Sequence, residues 1–225
     1  MPSLARIYQL TQSLLYHIYS RGNAKKEIFH CEEDYKHFIR ILIAYSSQKN
    51  LKIYHWVIMP NHYHLIMEFD NPKEISSVMA GIGRAYVHYY HRKYQSAGHL
   101  FQGRFKSQPI EKESYLLACG RYIERNAVVA GLSSTAQNYA FSSAAFYVNG
   151  MDDLLTKEDP LFSSFGEALS ERREKYSEFL RSFNQQEESL FDALEHPCGS
   201  MEFKSRLIKE RGIFLPRNGR PKRKV

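Results

Sequence analysis

His62 and His64 lie in Ile58-Met59-Pro60-Asn61-His62-Tyr63-His64-Leu65-Ile66-Met67, two imidazoles at positions i and i+2 of a segment rich in strand formers. Side chains alternate across a strand, so both rings point the same way and can reach one metal ion while Tyr63 turns to the opposite face. That is half of a metal site. An isolated His-x-His equally suits two hydrogen-bonded histidines of an ordinary hairpin, so the chemistry depends on what the rest of the chain brings to them.

Further along, Tyr122 and Asn126 stand four apart in a helical stretch, one turn from each other on one face. A phenol placed there can attack as a nucleophile while the amide oxygen completes the shell of a metal. Tyr115, nearly two turns earlier, shares that face and competes for the role. Its i+4 neighbour is Cys119, a poor ligand for a hard cation, which favours Tyr122. A free tyrosine has a pKa of about 10, so only about one molecule in a thousand is phenolate at neutral pH. A divalent ion on a phosphate compensates by stabilising charge on the phosphoryl oxygens and fixing the phosphate for in-line attack. Two imidazoles suit manganese; with an amide oxygen, a phosphate oxygen and waters, magnesium also fits.

The elements that must position these residues read in a definite order. Residues 16–20 form a short strand that runs into a turn at Arg21-Gly22-Asn23. Glu32, Glu33 and Asp34 suit the electropositive first turn of a helix carrying Tyr35, Phe38, Ile39, Leu42 and Ile43, which Asn50 ends. Residues 51–59 alternate as a strand, Pro60-Asn61 turns, and 62–69 return as its partner. Pro72 opens a second helix with Ile75, Val78, Met79, Ile82, Ala85, Tyr86 and Tyr89 on its apolar side, ending before Gly98. Residues 101–110 read as a basic strand or extended segment, and Ser114 caps a third helix through about Asn126. The order β-α-β-β-α-β-α is that of the α+β, ferredoxin-like split β-α-β fold, an antiparallel sheet with helices on one face.

Charge points to a polyanionic partner. The chain carries a formal net charge of +7. Residues 1–150 hold 17 Lys and Arg against 10 Asp and Glu, whereas 151–225 hold 14 of each, so the surplus belongs to the part with the histidines. Between Glu74 and Glu111 there is no acid, only Arg84, Arg92, Lys93, Arg104 and Lys106 interleaved with Tyr86, Tyr89, Tyr90, Tyr94, Phe101 and Phe105. Cations contact phosphates and aromatic faces stack on exposed bases, which suits single-stranded or hairpin DNA. Tyr86, Tyr90 and Tyr94 are also spaced as a helix stripe and fit a packed core equally well. Three scattered cysteines without Cys-x-x-Cys spacing indicate neither a disulfide framework nor a thiolate zinc site. With no signal-like start and no membrane-length apolar run, a soluble, cytoplasmic and nucleoid-associated protein is expected.

The chain resembles the REP-associated tyrosine transposases, single-tyrosine relatives of the insertion-sequence transposases within the HUH endonuclease class. The matching pieces are Tyr16-His17-Ile18-Tyr19-Ser20-Arg21-Gly22-Asn23, the segment Val57 through Leu65 around the histidines, Gly98-His99-Leu100-Phe101-Gln102-Gly103-Arg104-Phe105-Lys106, and Tyr122-Ile123-Glu124-Arg125-Asn126 with the residues up to Leu132. The resemblance covers 1–150 and implies a ferredoxin-like nuclease domain that nicks single-stranded DNA through a 5′-phosphotyrosine link. By position it makes His62 and His64 metal ligands, Tyr122 the nucleophile and Asn126 the third ligand, with magnesium or manganese as the cofactor. One departure stands out: the family usually has proline after that asparagine, and this chain has Ala127, so the helix can run on.

Beyond the nuclease domain, 151–213 read as a helical appendage, with helices suggested at 152–155, 165–183 and 201–211, and 214–225 as a basic, disordered tail. Gly219-Arg220-Pro221 in that tail resembles the core of an AT-hook. The candidate DNA-contacting cations are therefore Arg21, Arg84, Arg92, Lys93, Arg104, Lys106 and Arg220. Two other functions share these features, a plasmid-type HUH nickase and a DNA-binding repressor without turnover. The intact histidine, tyrosine and asparagine set argues against the repressor, and the lack of a helicase-like Gly-x-x-x-x-Gly-Lys loop argues against the nickase. Monomer and homodimer both remain open.

Overall fold

The computed structural model describes residues 15–182, 185–192 and 197–211. Four strands, β1 (Leu15–Arg21), β2 (Lys52–Met59), β3 (His62–Glu68) and β4 (Lys106–Pro109), form an antiparallel sheet in the order β2-β3-β1-β4. Helices α1 (Glu32–Lys49) and α2 (Ile75–Tyr94) make the split β-α-β connections, as the sequence order anticipates. α1 starts where expected, and the Asp34 carboxylate accepts the backbone N–H groups of His30 and Cys31 that the first turn leaves unpaired. It stops at Asn50 in the left-handed conformation. Gly22, just after β1, is required by close approach, because a Cβ there would lie 2.1 Å from the Lys26 carbonyl oxygen.

Both faces of the sheet are buried. Tyr16, Ile18, Tyr63, Leu65 and Met67 point to one side and pack with Phe38 and Leu42 of α1 and Val78, Ile82 and Tyr86 of α2. This is the one-sided helical layer of the ferredoxin-like unit. On the opposite side lie Leu15, Val57, Met59 and Ile66, covered by Leu116, Cys119, Ile123 and Ala127 of α3 (Lys112–Val129) and by Phe191 of α6 (Gln185–Asp192). α3 therefore adds a second layer on the other face, and β2 and β3 become strands with no solvent side. The run 101–110 pairs as a strand only over β4; Phe101 makes a single bridge to Gly22.

The segment after 150 is tied into this scaffold. α4 (Ala144–Asn149) and α5 (Leu169–Arg181) bury Tyr147, Tyr176 and Leu180 in a third apolar cluster against Val128 and Leu117 of α3. α7 (Met201–Arg211) matches its sequence expectation. Residues 152–155 are not a helix. There the Asp152 and Asp153 carboxylates accept the N–H groups of Leu154, Leu155 and Thr156, closing local turns that compete with a helical ladder. The basic tail with Arg220 lies outside the described residues.

A β-bulge decides how α3 sits. Ile53 pairs with Met67 and Trp56 with Leu65, so Tyr54 and His55 together face the single residue Ile66. The bulge turns the fully buried His55 ring against α3 at Gly120, where a Cβ would lie 2.7 Å from the ring. His55 Nδ1–H donates to Glu124 of α3 at 2.8 Å and Nε2–H donates to Asp159 at 2.8 Å. Glu124 also accepts the hydroxyls of Ser143 (2.6 Å) and Tyr176 (2.9 Å). Burial lowers the His55 pKa, but the two carboxylates outweigh it and raise it to about 9.

This imidazolium makes a pH prediction. A histidine whose folded pKa lies above its unfolded value of about 6.5 contributes stability that is complete below that value and is lost as pH rises through 9. The thermal midpoint is expected to fall between those limits. His55→Leu leaves two carboxylates buried without their cation, so it should destabilise by about 3–5 kcal/mol and flatten that fall. Calorimetry across pH checks both; an undiminished slope in the variant would assign the fall to other groups.

Candidate active site

In the β1–β3 register Tyr19 lies opposite His64 and Arg21 opposite His62. Strand alternation then puts His17, Tyr19, Arg21, His62 and His64 on one face, the face that α3 covers. A cavity of about 490 Å³ opens between them. Its walls bring together His62 and His64 from β3, Tyr122 and Asn126 from α3, Tyr19 and Arg21 from β1, and Gln102, Arg104 and Lys106 from the segment leading into β4. All four residues singled out for chemistry meet here. Among the described residues, three cations and no carboxylate line the cavity.

Both histidines are neutral. Burial, then the Arg21 charge, lower the His62 pKa to about 4. Burial, with His17 and His62 adding to it, holds His64 well below its ordinary value. Hydrogen bonds also fix which nitrogen carries the proton. Asn61 donates its side-chain N–H to the Lys25 carbonyl (3.1 Å), so its Oδ1 accepts from His62 Nδ1–H at 2.5 Å. Gln108 donates Nε2–H to the Leu190 carbonyl of α6 at 3.1 Å, so its Oε1 accepts from His17 Nδ1–H at 3.3 Å. His17 is neutral too, lowered by burial to about 4 against the raising effect of Gln108. Its Nε2 must then accept, and His64 Nδ1–H donates to it at 2.8 Å. His62 and His64 thus each keep the Nε2 lone pair.

Tyr122 is flanked by three rings, those of Phe191 (centroids 5.4 Å), His64 (5.8 Å) and His17 (6.0 Å). Asn126 donates its side-chain N–H to the Tyr122 carbonyl at 2.8 Å, which leaves its Oδ1 on the other limb of the amide as an oxygen donor. α3 does run on to Val129, with Ala127 fully buried. Two imidazole nitrogens and one amide oxygen fit a divalent ion that also takes phosphate oxygens and water. Among the described residues no group of three His, Cys, Asp or Glu is placed to hold a metal ion, so an ion in this cavity would draw on Asn126 beside the two histidines.

The other expectations divide. Tyr115 packs against the α3-side core and does not line the cavity. Lys93 does not line the cavity. Its ammonium donates to Asp34 at 2.6 Å and to the Tyr89 hydroxyl at 3.0 Å, so it braces α2 on α1. Tyr86 is fully buried and donates to the Ile28 carbonyl, while Tyr89 and Tyr94 donate to Asp34. Within that stripe Tyr86 belongs to the core, while Tyr89, Tyr90 and Tyr94 are half-buried and fasten α2 to the start of α1. Arg92 is exposed at the end of α2, and Arg84 lines a separate groove. Sequence reasoning assigned no role to His17, Tyr19, Gln102 or Gln108. The i, i+2 spacing of His17, Tyr19 and Arg21 was a usable signal, but only the strand register puts them beside His64.

The amide relay is testable without metal. Gln108→Leu removes the acceptor that orients His17. Long-range ¹H–¹⁵N correlation spectra of the metal-free protein should show His64 as the Nδ1–H tautomer, and a tautomer mixture in the variant. An unchanged His64 signal would assign its tautomer to something other than this relay.

Three comparisons bear on this arrangement. A solved structure of a REP-associated tyrosine transposase bound to a REP hairpin aligns with a TM-score of 0.53 at 19% identity, over 65% of this chain and 87% of that one. A Deinococcus radiodurans protein assigned as a transposase aligns with a TM-score of 0.37 at 19% identity, over 50% of this chain and 89% of that one. Among curated proteins, none matches. The family model described as transposase IS200 like matches residues 10–126, a span that holds both histidines, Tyr122 and Asn126. The chain, with that span and this four-stranded scaffold, belongs to the IS200-like transposase family.

Proposed function

We propose that this protein is a single-stranded DNA endonuclease and strand transferase that nicks palindromic or hairpin elements through a 5′-phosphotyrosine link. Tyr122 is the nucleophile, and His62, His64 and Asn126 hold a divalent ion, magnesium or manganese. The observation that carries this reading is the single cavity in which a tyrosine, two histidines with free Nε2 lone pairs, an amide oxygen and three cations converge. The relative whose solved structure holds a REP hairpin supports hairpin DNA as the substrate class.

The residues divide the work. Arg21, whose Nε–H donates to Gln102 at 2.7 Å, acts with Arg104 and Lys106 to hold the scissile phosphate. The ring contacts around Tyr122 limit its motion, so attack begins from a positioned phenol. The bound ion would supply charge neutralisation at the phosphoryl oxygens. Attack of the Tyr122 oxygen on phosphorus forms one phosphodiester and breaks another, releasing a 3′-hydroxyl. Bond free energy is conserved in that exchange. A second 3′-hydroxyl can therefore attack the tyrosine link and rejoin strands without ATP.

With labelled single-stranded DNA from the flanks of its own gene, Tyr122→Phe should abolish the covalent adduct and leave affinity within a few-fold. Tyr19→Phe and Tyr115→Phe should retain it, and a fully paired duplex of the same sequence should give none. Loss of the adduct in Tyr115→Phe or Tyr19→Phe, with Tyr122→Phe active, would overturn the assignment.

His62→Ala and His64→Ala should each remove cleavage stimulated by magnesium or manganese, and Asn126→Ala should weaken it less, because one neutral oxygen is lost while both imidazoles stay. Cleavage undiminished in EDTA would exclude the metal role.

A further inference from the structure

On the other face of the sheet, α2 and the segment leading into β4 enclose a second groove of about 690 Å³, a size within the range of pockets that hold small ligands. Met79, Val87, Phe101 and Phe105 give it an apolar floor, and Arg84 and Arg104 supply cations. Among the described residues no Asp or Glu lines it. The α2 residues that face it, from Ser76 through Gly83 and Val87 to His91, recur every three or four positions, so one helix face is left turned toward the groove. Gly83 widens it: no heavy atom lies within 4 Å of a Cβ placed there. Ser20 and Arg104 line both this groove and the histidine–tyrosine cavity, so the two are neighbours across the edge of the sheet.

We propose that this groove takes an unpaired nucleobase of the strand whose phosphate lies in the catalytic cavity. The proposal rests on the DNA-cleaving reading above. Apolar and aromatic walls suit a base face, flanking arginines suit the adjoining phosphates, and no described carboxylate is there to repel them. Arg104, common to both cavities, spans from the scissile phosphate to the next nucleotide. A nucleotide captured here would help choose the cut position, because its distance from Tyr122 is set by the sheet and not by the DNA.

The test compares two single-stranded probes of equal charge, a twelve-residue oligothymidylate and its abasic counterpart, by fluorescence anisotropy. The parent protein should prefer the base-bearing strand by about tenfold or more, the worth of a stacked base. Gly83→Ala, which adds one methyl group in open space, should keep the preference. Gly83→Leu projects a larger side chain into the groove from a helix position whose Cβ meets open space, and should lose most of the preference. A Gly83→Leu protein that keeps the preference overturns the groove assignment and leaves the DNA-cleaving reading standing. Failure of the parent to bind either probe also overturns the groove assignment, while the DNA-cleaving reading stands or falls separately on the Tyr122 adduct with flanking DNA. A change in oligomeric state with unchanged base preference in Gly83→Leu would make the groove a contact between copies and also overturn the proposal.

Discussion

The position of α3 depends on one buried ion group. His55 projects from a bulge in β2 and is held between the carboxylates of Glu124 and Asp159, with both ring nitrogens donating. A charged group in an apolar interior is tolerated only when every polar atom is matched, and Glu124 is matched further by Ser143 and Tyr176. Glu124 stands between Tyr122 and Asn126 on the same helix. The contact that stops α3 from sliding along the sheet therefore also sets how far the phenol and the amide stand from the histidines on β3. Because Asp159 and Tyr176 come from beyond residue 150, the C-terminal segment is part of what holds the site in place.

Histidine serves opposite ends within a few ångströms of chain thickness. His55, between two acids, is an imidazolium and carries load as a cation. His17, His62 and His64, buried among rings and amides and near Arg21, are neutral and keep lone pairs. The difference lies in the partners and not in burial, since His17, His55 and His64 are all buried. Where the partner is a carboxylate, the proton is bound more tightly; where it is an amide oxygen or another neutral ring, desolvation wins.

The basic, aromatic stretch from 75 to 110 turns out to serve two purposes. Along α2, Tyr86, Tyr89, Lys93 and Tyr94 converge on Ile28 and on the Asp34 carboxylate, fastening α2 to α1. Burial works to raise the Asp34 pKa, but the bonds from Lys93, Tyr94, His30 and Tyr89 overcome it and hold the group far below the ordinary carboxylate range. Arg84, Arg104, Phe101 and Phe105 stay at the two cavities. A run that is uniform in composition is thus divided by its fold between residues that fasten α2 to α1 and residues that line the two cavities.

Much of this was legible in the order of residues alone. The alternation of His62 and His64, the four-residue step from Tyr122 to Asn126 and the first-turn acids of α1 are local, and local periodicity survives in any tertiary context that forms a strand or a helix there. The split β-α-β order likewise follows from the succession of such elements. What required the tertiary structure is everything that depends on pairing between distant segments. Strand register puts His17 and Tyr19 beside His64. The crossing of α3 over the far face brings Tyr122, and not Tyr115, to the cavity. Asp34, far away in sequence, pairs with Lys93. Whether a histidine is charged was equally hidden, because it is set by burial and by which group lies within hydrogen-bond reach of each ring nitrogen, and those exist only once the chain has folded.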